Sequence, residues 1–500
     1  MASLLRHASL LCALLHLAAC SGGGGGAGSG GDSGAGGPLA PVSGWSVLGG
    51  ATTSHPDIPV ASDTRVNPGR GYYRWDSQEE VPQAAAAPDW YRRYDWKGLE
   101  LAEDQYDLDD IAADIKTASA TGRKLALRIR MMHGYGDGKK YLPDYLVGHA
   151  NCVAACGFTA PVGALGTFVP DWNDPWLQAR GRKLLEQIRA QIVAQGALAR
   201  IAWIDVGLYG QYGEWAVDGA VYASPPAGIS AASDASKQVW ARMHFEVFPE
   251  VRQLMFALRS NVTTLGWAFS QTITQQAVGL RTDCLAKGDF FDQWTHHPAD
   301  HAVIRDQWQK APFIAEFCPF ESGNMLINPA FARSQVAAWH MSLVGNGNFA
   351  LSQPVGQRFA ALTPAEQADM LALGREAGYR YALGNTAVSV AADGQLLLQG
   401  VLRNLGNAPA YEAWQLSVQL IDSQGQLRAS SPLMLDLQQS PGNGSEQNFI
   451  HNWNLPALAA GDYTLRLTAS RSDRTRPLAW ANADRHADGS LTLASLRKSG

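Results

Sequence analysis

The sequence predicts an α/β protein: a closed (β/α)8-type barrel of the TIM kind, followed by a small antiparallel, Ig-like β-sandwich. Three observations predict it. Between about Asn67 and Leu383, short apolar runs alternate with amphipathic stretches of helical period, the pattern of a parallel sheet wrapped by helices. Eight such runs can be counted, the number that closes a barrel. Beyond Leu383 the hydrophobic pattern switches to simple alternation, broken by turn pairs such as Asp393-Gly394 and Gly461-Asp462.

Taken in order, Gly71–Trp75 reads as strand one, and the stretch from Tyr94 to Glu100 contains strand two. Tyr106 to Ala120 is a helix with Leu108, Ile111, Ile115 and Ala118 on one face. Lys124–Met132 is strand three, ending in His133. Pro175 suits a first helical position and opens a helix to Gln195. Ile201–Leu208 is strand four and Ser236–Arg259 a helix. Thr263–Phe269 is strand five, Leu280–Cys284 strand six, and Asp289–Gln309 a helix. Phe313–Phe317 is strand seven and Pro329–Val344 a helix. Asn348–Ser352 is strand eight, and a helix over Thr363–Gly378 closes the set. Sandwich strands follow at 387–390, 396–401, 414–421, 449–453 and 463–469.

The N-terminus carries an address. Arg6 and His7 precede an apolar run, Ala8–Ala19, too short to span a bilayer but suited to a signal peptide. It ends Leu17-Ala18-Ala19-Cys20, which resembles the bacterial lipobox, whose cysteine is diacylated and becomes the mature N-terminus. Ser21–Gly37 is almost pure Gly, Ser and Ala, a composition that cannot bury apolar surface and reads as a flexible tether. Ser21 at the position after Cys20 resembles lipoproteins sent to the outer membrane, so an exported, lipid-anchored chain is expected. With Cys12 in the signal and Cys20 lipidated, four cysteines remain. In an oxidising compartment, and without His neighbours, the Cys152/Cys156 pair is expected as a disulfide rather than a metal site. Cys284 and Cys318 end neighbouring strands and could form a second.

The expected boundaries are therefore residues 1–20 for the lipoprotein signal, 21–60 for the linker, 61–382 for the barrel, 383–478 for the sandwich and 479–500 for a C-terminal tail. A formal net charge of -5 with no long basic run argues against a nucleic-acid partner. No Gly-rich phosphate loop follows any strand, which argues against nucleotide binding. A monomer without cofactor is expected.

Active groups in such barrels come from the loops at the C-terminal strand ends. There, strand four leads into Tyr209-Gly210-Gln211-Tyr212-Gly213-Glu214-Trp215, and strand seven runs Phe313-Ile314-Ala315-Glu316-Phe317. Cleaving a glycosidic bond takes one protonated carboxylic acid and one ionised carboxylate. Aromatic neighbours can keep a carboxyl protonated, so Glu214, flanked by Tyr212 and Trp215, is the expected acid/base. Glu316 is the expected nucleophile or second carboxylate, the latter as base for a water, with Glu321 as its rival. Arg74, Trp75, Arg130, His133, Tyr209, Trp215, Trp267 and Asp283 are the expected substrate-binding residues. Arg128 and Arg130 share a strand face and, being buried charges, need carboxylate partners.

The segment Ile204–Trp215 resembles strand four of β-amylases, and the Glu pair on strands four and seven resembles the retaining glycoside hydrolase barrels. Two departures stand out: Gly213 occupies the position where those glycosidases carry Asn, and the β-amylase continuation Arg-Tyr-Pro is missing. Asn67–Trp75, Gly279–Leu285 and Ala315-Glu316-Phe317 together resemble a bacterial family of exported barrel-plus-sandwich proteins known as domains of unknown function. These resemblances imply the architecture, and imply a glycoside hydrolase acting on an oligo- or polysaccharide. The alternative is a polysaccharide-binding or assembly lipoprotein that keeps the barrel without turnover.

Overall fold

The computed structural model describes residues 43–75, 81–286, 288–318, 328–345 and 358–500. The signal region, Cys20, the Gly/Ser tract to Gly37, Glu321 and the segment Asn348–Ser352 all lie outside the described residues.

Eight parallel strands form the central sheet: β1 (Gly71–Tyr73), β2 (Asp89–Asp95), β3 (Lys124–Arg130), β4 (Ile201–Asp205), β5 (Gln253–Phe256), β6 (Gly279–Thr282), β7 (Phe313–Glu316) and β8 (Leu343–Gly345). Each pairs with its sequence neighbours, and β8 pairs with β1. The remaining seam, β1 to β2, is held by a parallel bridge from Arg74 to Trp90, so the barrel is nearly closed. Helices cover its outside: α1 (Asp109–Ala120), α2 (Pro175–Ala194), α3 (Asp234–Val247), α4 (Val262–Phe269), α5 (Gly288–Thr295), α6 (Pro298–Ile304), α7 (Pro329–Ala338) and α8 (Pro364–Glu376). Their starts are chemically marked. The Asp174 side chain accepts from Leu177 N at 2.8 Å to cap α2, and Thr363 with Glu366 forms a capping box on α8.

The antiparallel sandwich packs two sheets. One contains β11 (Gln415–Asp422), β12 (Leu427–Leu433), β14 (Gly461–Ser470) and β15 (Leu491–Lys498). The other contains β9 (Tyr381–Val390), β10 (Gln395–Asn404) and β13 (Ser445–Asn454). The fold class is thus the expected one, but its boundaries differ. Residues 479–500 are not a tail, because β15 lies within a sheet, between β14 and Trp45–Leu48. Likewise the expected linker supplies that N-terminal strand, whose Trp45 enters the sandwich core.

Three strands sit elsewhere than the sequence predicts. Strand two is Asp89–Asp95; the charges of Asp89, Arg92 and Arg93 read as loop residues, yet each has an ionic or cation–π partner in the fold. The helix expected over Ser236–Arg259 stops at Val247, because Pro249 disfavours helical backbone at Phe248. Strand five is then Gln253–Phe256, a wholly buried run with no alternation to announce it. Thr263–Phe269 instead belongs to α4, where Thr264, Leu265 and Ala268 are buried at helical spacing. Strand eight is Leu343–Gly345, cut from the end of the expected helix over Pro329–Val344, and Pro298 divides the helix expected over Asp289–Gln309.

Candidate active site

Strand alternation builds the barrel lumen in two layers. Tyr73, Tyr91, Ala126, Trp203, Leu254, Ile314 and Leu343 pack into an inner apolar plug. Two residues further toward the C-terminal strand ends, the same face presents Arg93 after Tyr91, Arg128 after Ala126, Asp205 after Trp203 and Glu316 after Ile314. Strand β6 adds Arg281, and Asp283 follows it at the same phase. A charged layer therefore rests on an aromatic floor: the Arg281 guanidinium lies 4.8 Å from the Tyr91 ring centroid, and that of Arg93 lies 5.0 Å from Trp75.

Buried charges persist only when paired, and these are. Asp205 accepts from Arg128 Nη2 at 2.9 Å, Tyr91 Oη at 2.7 Å and Trp203 Nε1 at 3.0 Å, which makes it structural. Glu316 accepts from Arg93 Nη2 at 2.8 and 2.9 Å, one bond to each oxygen, and its Oε2 also accepts from Arg281. Glu214 Oε1 lies 3.0 Å from Arg93 Nη1 and accepts from Arg128 Nη1 at 2.9 Å. Arg93 thus holds both members of the expected pair. One oxygen each of Glu214, Asp283 and Glu316 lie within 4.8 Å of one another.

The carboxyls differ in their surroundings. Burial raises Glu316, but Arg281, then Arg93 and Arg128, outweigh it and lower its pKa to about 2. Asp283 is pushed well above the usual carboxylate range, first by burial and then by the charges of Glu214 and Glu316. The aromatic enclosure expected around Glu214 is not there; its partners are guanidiniums. Trp215 turns away, 1% exposed, with its Nε1 donating to Val206 O at 2.6 Å, and Tyr209, 5% exposed, packs edge-on against Trp172 and Trp215. Both belong to the core beneath the loop rather than to a cleft wall. Trp267 stands on α4 in the outer layer, stacked on Phe245, remote in the fold from the lumen. Arg74 lies 5.9 Å over the ring of Trp90, a residue of the outer apolar layer.

Other expected residues do flank the site. Arg130 pairs with Asp95 rather than with a glutamate. His133 stacks on Tyr141 at 4.8 Å and meets Tyr212 edge-on at 4.7 Å, a half-buried aromatic wall. Burial and Arg130 lower the His133 pKa, so its ring is neutral near pH 7. The Tyr212 carbonyl accepts from Arg128 at 3.2 Å, which joins this wall to the charged layer. Residues the sequence reading missed are Arg93, Tyr91, Arg281 and Tyr141; Tyr212, expected as a neighbour shielding Glu214, faces His133 instead. Alternation through Trp90-Tyr91-Arg92-Arg93-Tyr94 was the available signal for the first two.

Two disulfides are formed. Cys152 and Cys156 have Cα atoms 5.1 Å apart, and Cys284 and Cys318, 4.4 Å apart, join the ends of β6 and β7 beside Asp283 and Glu316. The Glu214–Asp283–Glu316 triple has the spacing of a cation site, but three guanidiniums already surround those carboxyls, a poor fit for a dication.

The sequence matches no protein-family profile and no curated protein. Similar solved structures include a GH5-4 broad specificity endoglucanase from an uncultured bacterium, at 9% identity, covering 65% of this chain and 97% of that one with a TM-score of 0.36. A glycoside hydrolase family 30 subfamily 8 xylanase from Clostridium acetobutylicum shows 12% identity, 80% and 95% coverage and a TM-score of 0.34. A β-galactosidase from Rahnella sp. R3 shows 11% identity, 67% and 59% coverage and a TM-score of 0.40. Likenesses this distant do not bear on activity.

Proposed function

We propose that the barrel mouth hydrolyses glycosidic bonds of an oligo- or polysaccharide, on a chain exported and anchored to the outer membrane through a lipid on Cys20. The observation that carries the reading is the convergence of three carboxyls at the C-terminal strand ends, with the Glu316 pKa lowered to about 2 and that of Asp283 raised well above its usual range. Glu316 acts as nucleophile, and one of the two carboxyls facing it, Glu214 or Asp283, gives the leaving oxygen its proton. Oxygens within 4.8 Å of one another favour the close arrangement, about 5–5.5 Å between carboxyl groups, that forms a covalent glycosyl-enzyme and retains configuration. Trp75 and the His133–Tyr141–Tyr212 wall offer faces for sugar rings, with the Arg130–Asp95 pair placed for hydroxyl contacts. No cofactor is needed for this chemistry.

One observation favours a second reading, a polysaccharide-binding lipoprotein without turnover: both Glu316 oxygens are already engaged by guanidiniums. Incubation with bacterial exopolysaccharides and plant-type oligosaccharides, with reducing ends measured, separates the two. Release by the native protein that falls at least about 10³-fold in Glu316→Gln supports hydrolysis. Glycan binding with no release of reducing ends would establish the second reading instead.

A further inference from the structure

We infer that Asp283, rather than Glu214, is the proton carrier of this site, with Glu214 a positioning residue that acts through Arg93. The inference rests on the hydrolase reading and deepens it.

Partner geometry comes first. Among the three converging carboxyls, Glu316 and Glu214 each accept hydrogen bonds or close ionic contacts from two guanidiniums. Asp283 has only Arg281 Nε, 3.5 Å from its Oδ1, beyond good hydrogen-bond geometry, and that oxygen has no hydrogen-bond partner among the described residues. A buried carboxylate oxygen left so is costly, whereas a carboxylic acid carries its own donor.

Charge balance points the same way. The guanidiniums of Arg93, Arg128 and Arg281 are matched by Asp205, Glu214 and Glu316, each ion-paired to at least one of them. A fourth carboxylate at Asp283, a residue 6% exposed, would leave a buried uncompensated charge. The groups facing Asp283 are Glu214 from the loop after β4, Glu316 on β7, Arg93 on β2 and Arg281 on its own strand; the two glutamates and burial outweigh the two arginines.

Asp283 shares the inward phase of Arg281, and the Cys284–Cys318 bridge fixes it beside β7. Cys284 itself takes the left-handed backbone, φ 62°, a conformation kept only where surroundings enforce it.

The step balances. A Glu316 oxygen attacks the anomeric carbon while the glycosidic C–O bond breaks, and the Asp283 proton passes to the leaving oxygen. Water then attacks the glycosyl ester and gives its proton to Asp283, and Glu316 leaves as carboxylate.

The test uses the full mature chain with methyl and 2,4-dinitrophenyl glycosides of glucose, galactose, mannose and xylose in both anomeric forms. Dinitrophenolate leaves without a proton. Asp283→Asn should therefore lose about 10²–10⁴-fold on methyl glycosides while still forming the glycosyl-enzyme from dinitrophenyl glycosides. Azide should restore its turnover, and the alkaline limb of kcat/KM should vanish. Glu214→Gln should lose both substrate types alike and keep that limb. A carbon-13 titration of the aspartate carboxyls should show one still protonated at pH 7, absent in Asp283→Asn. Leaving-group dependence and azide rescue in Glu214→Gln instead, or an ionised Asp283 at pH 7, would overturn the inference and leave the hydrolase reading standing. A native protein that cleaves neither this panel nor the exopolysaccharides and oligosaccharides tested above, or a fully active Glu316→Gln, overturns both.

Discussion

Arg93 bridges the two glutamates, and its position explains why each is where it is. Its Nη1 faces Glu214 and its Nη2 donates to both oxygens of Glu316, while Nε donates to Tyr91 Oη at 3.2 Å, so every edge of the planar fork is used. Glu316 sits at about 2 against an ordinary 4.5, so the fold prefers its ionised form. The stability this gives is present above about pH 4.5 and is lost as pH falls toward 2. Replacing Arg93 with Gln removes a cation that favours the carboxylate, so the Glu316 pKa should rise. The acid limb of kcat/KM should then move up toward the ordinary carboxylate range, and breaking the buried pair should cost about 3–5 kcal/mol in denaturant melts. An acid limb that stays in place would assign the tuning to Arg281 and Arg128.

Among elements, the connection after β4 is conformationally constrained. Leu208, Tyr212 and Trp215 all take left-handed backbone, at φ 64°, 53° and 62°, a costly choice for residues with side chains. Gly213, also left-handed at φ 71°, is closely packed: a Cβ there would stand 3.2 Å from Arg128 Cδ, so the arginine stem would have to shift by a few tenths of an ångström. On the other side of the mouth, β6 and β7 are tied by Cys284–Cys318 across a sequence separation of 34. Changing both cysteines to Ser should cost about 2–4 kcal/mol in reversible unfolding. It should also lower turnover, since Asp283 precedes one cysteine and Glu316 lies two residues before the other. Unchanged kcat in the double variant would show that the bridge serves stability only.

At the scale of the whole molecule, the sandwich is docked on the N-terminal strand ends, opposite the site. Asp89, at the start of β2, accepts from Arg474 at 2.5 Å, Arg474 also pairs with Glu412, and Lys124 reaches Asp473 at 2.6 Å. The side chains of Asp89, Arg474 and Lys124 are buried and those of Glu412 and Asp473 half-buried, and Tyr379 and Arg380 lead directly from α8 into β9. The carboxyl cluster is thereby left on the face away from the sandwich. The sandwich also takes in Trp45–Leu48, which lies close behind the Gly/Ser tract in the chain. An acylated Cys20 should make the mature protein fractionate with outer membranes, and Cys20→Ala should release it to the soluble fraction. A native protein found wholly in the soluble fraction, with an unmodified N-terminus, would remove the anchor from the proposal.

The sequence by itself determined the elements whose burial is one-sided. The helix from Pro175 and the one from Pro364 announce themselves by cap, proline and apolar stripe, and the alternating strands of the sandwich by their period. It also set the two glutamates at the ends of strands four and seven, because that topology places such ends at one mouth. Where burial is complete the period disappears: Gln253–Phe256 and Leu343–Gly345 are buried at every position, and nothing local separates such strands from helix. Only the tertiary structure decided which groups surround each carboxyl. Arg93, Arg281 and Glu316 are up to 223 residues apart in the chain, and a pKa depends on distance and burial rather than on sequence neighbours. That is why Trp215, adjacent to Glu214 in sequence, turns into the core, while Asp283, with no aromatic neighbour to suggest it, is the carboxyl whose pKa burial and its acidic companions raise well above the ordinary range.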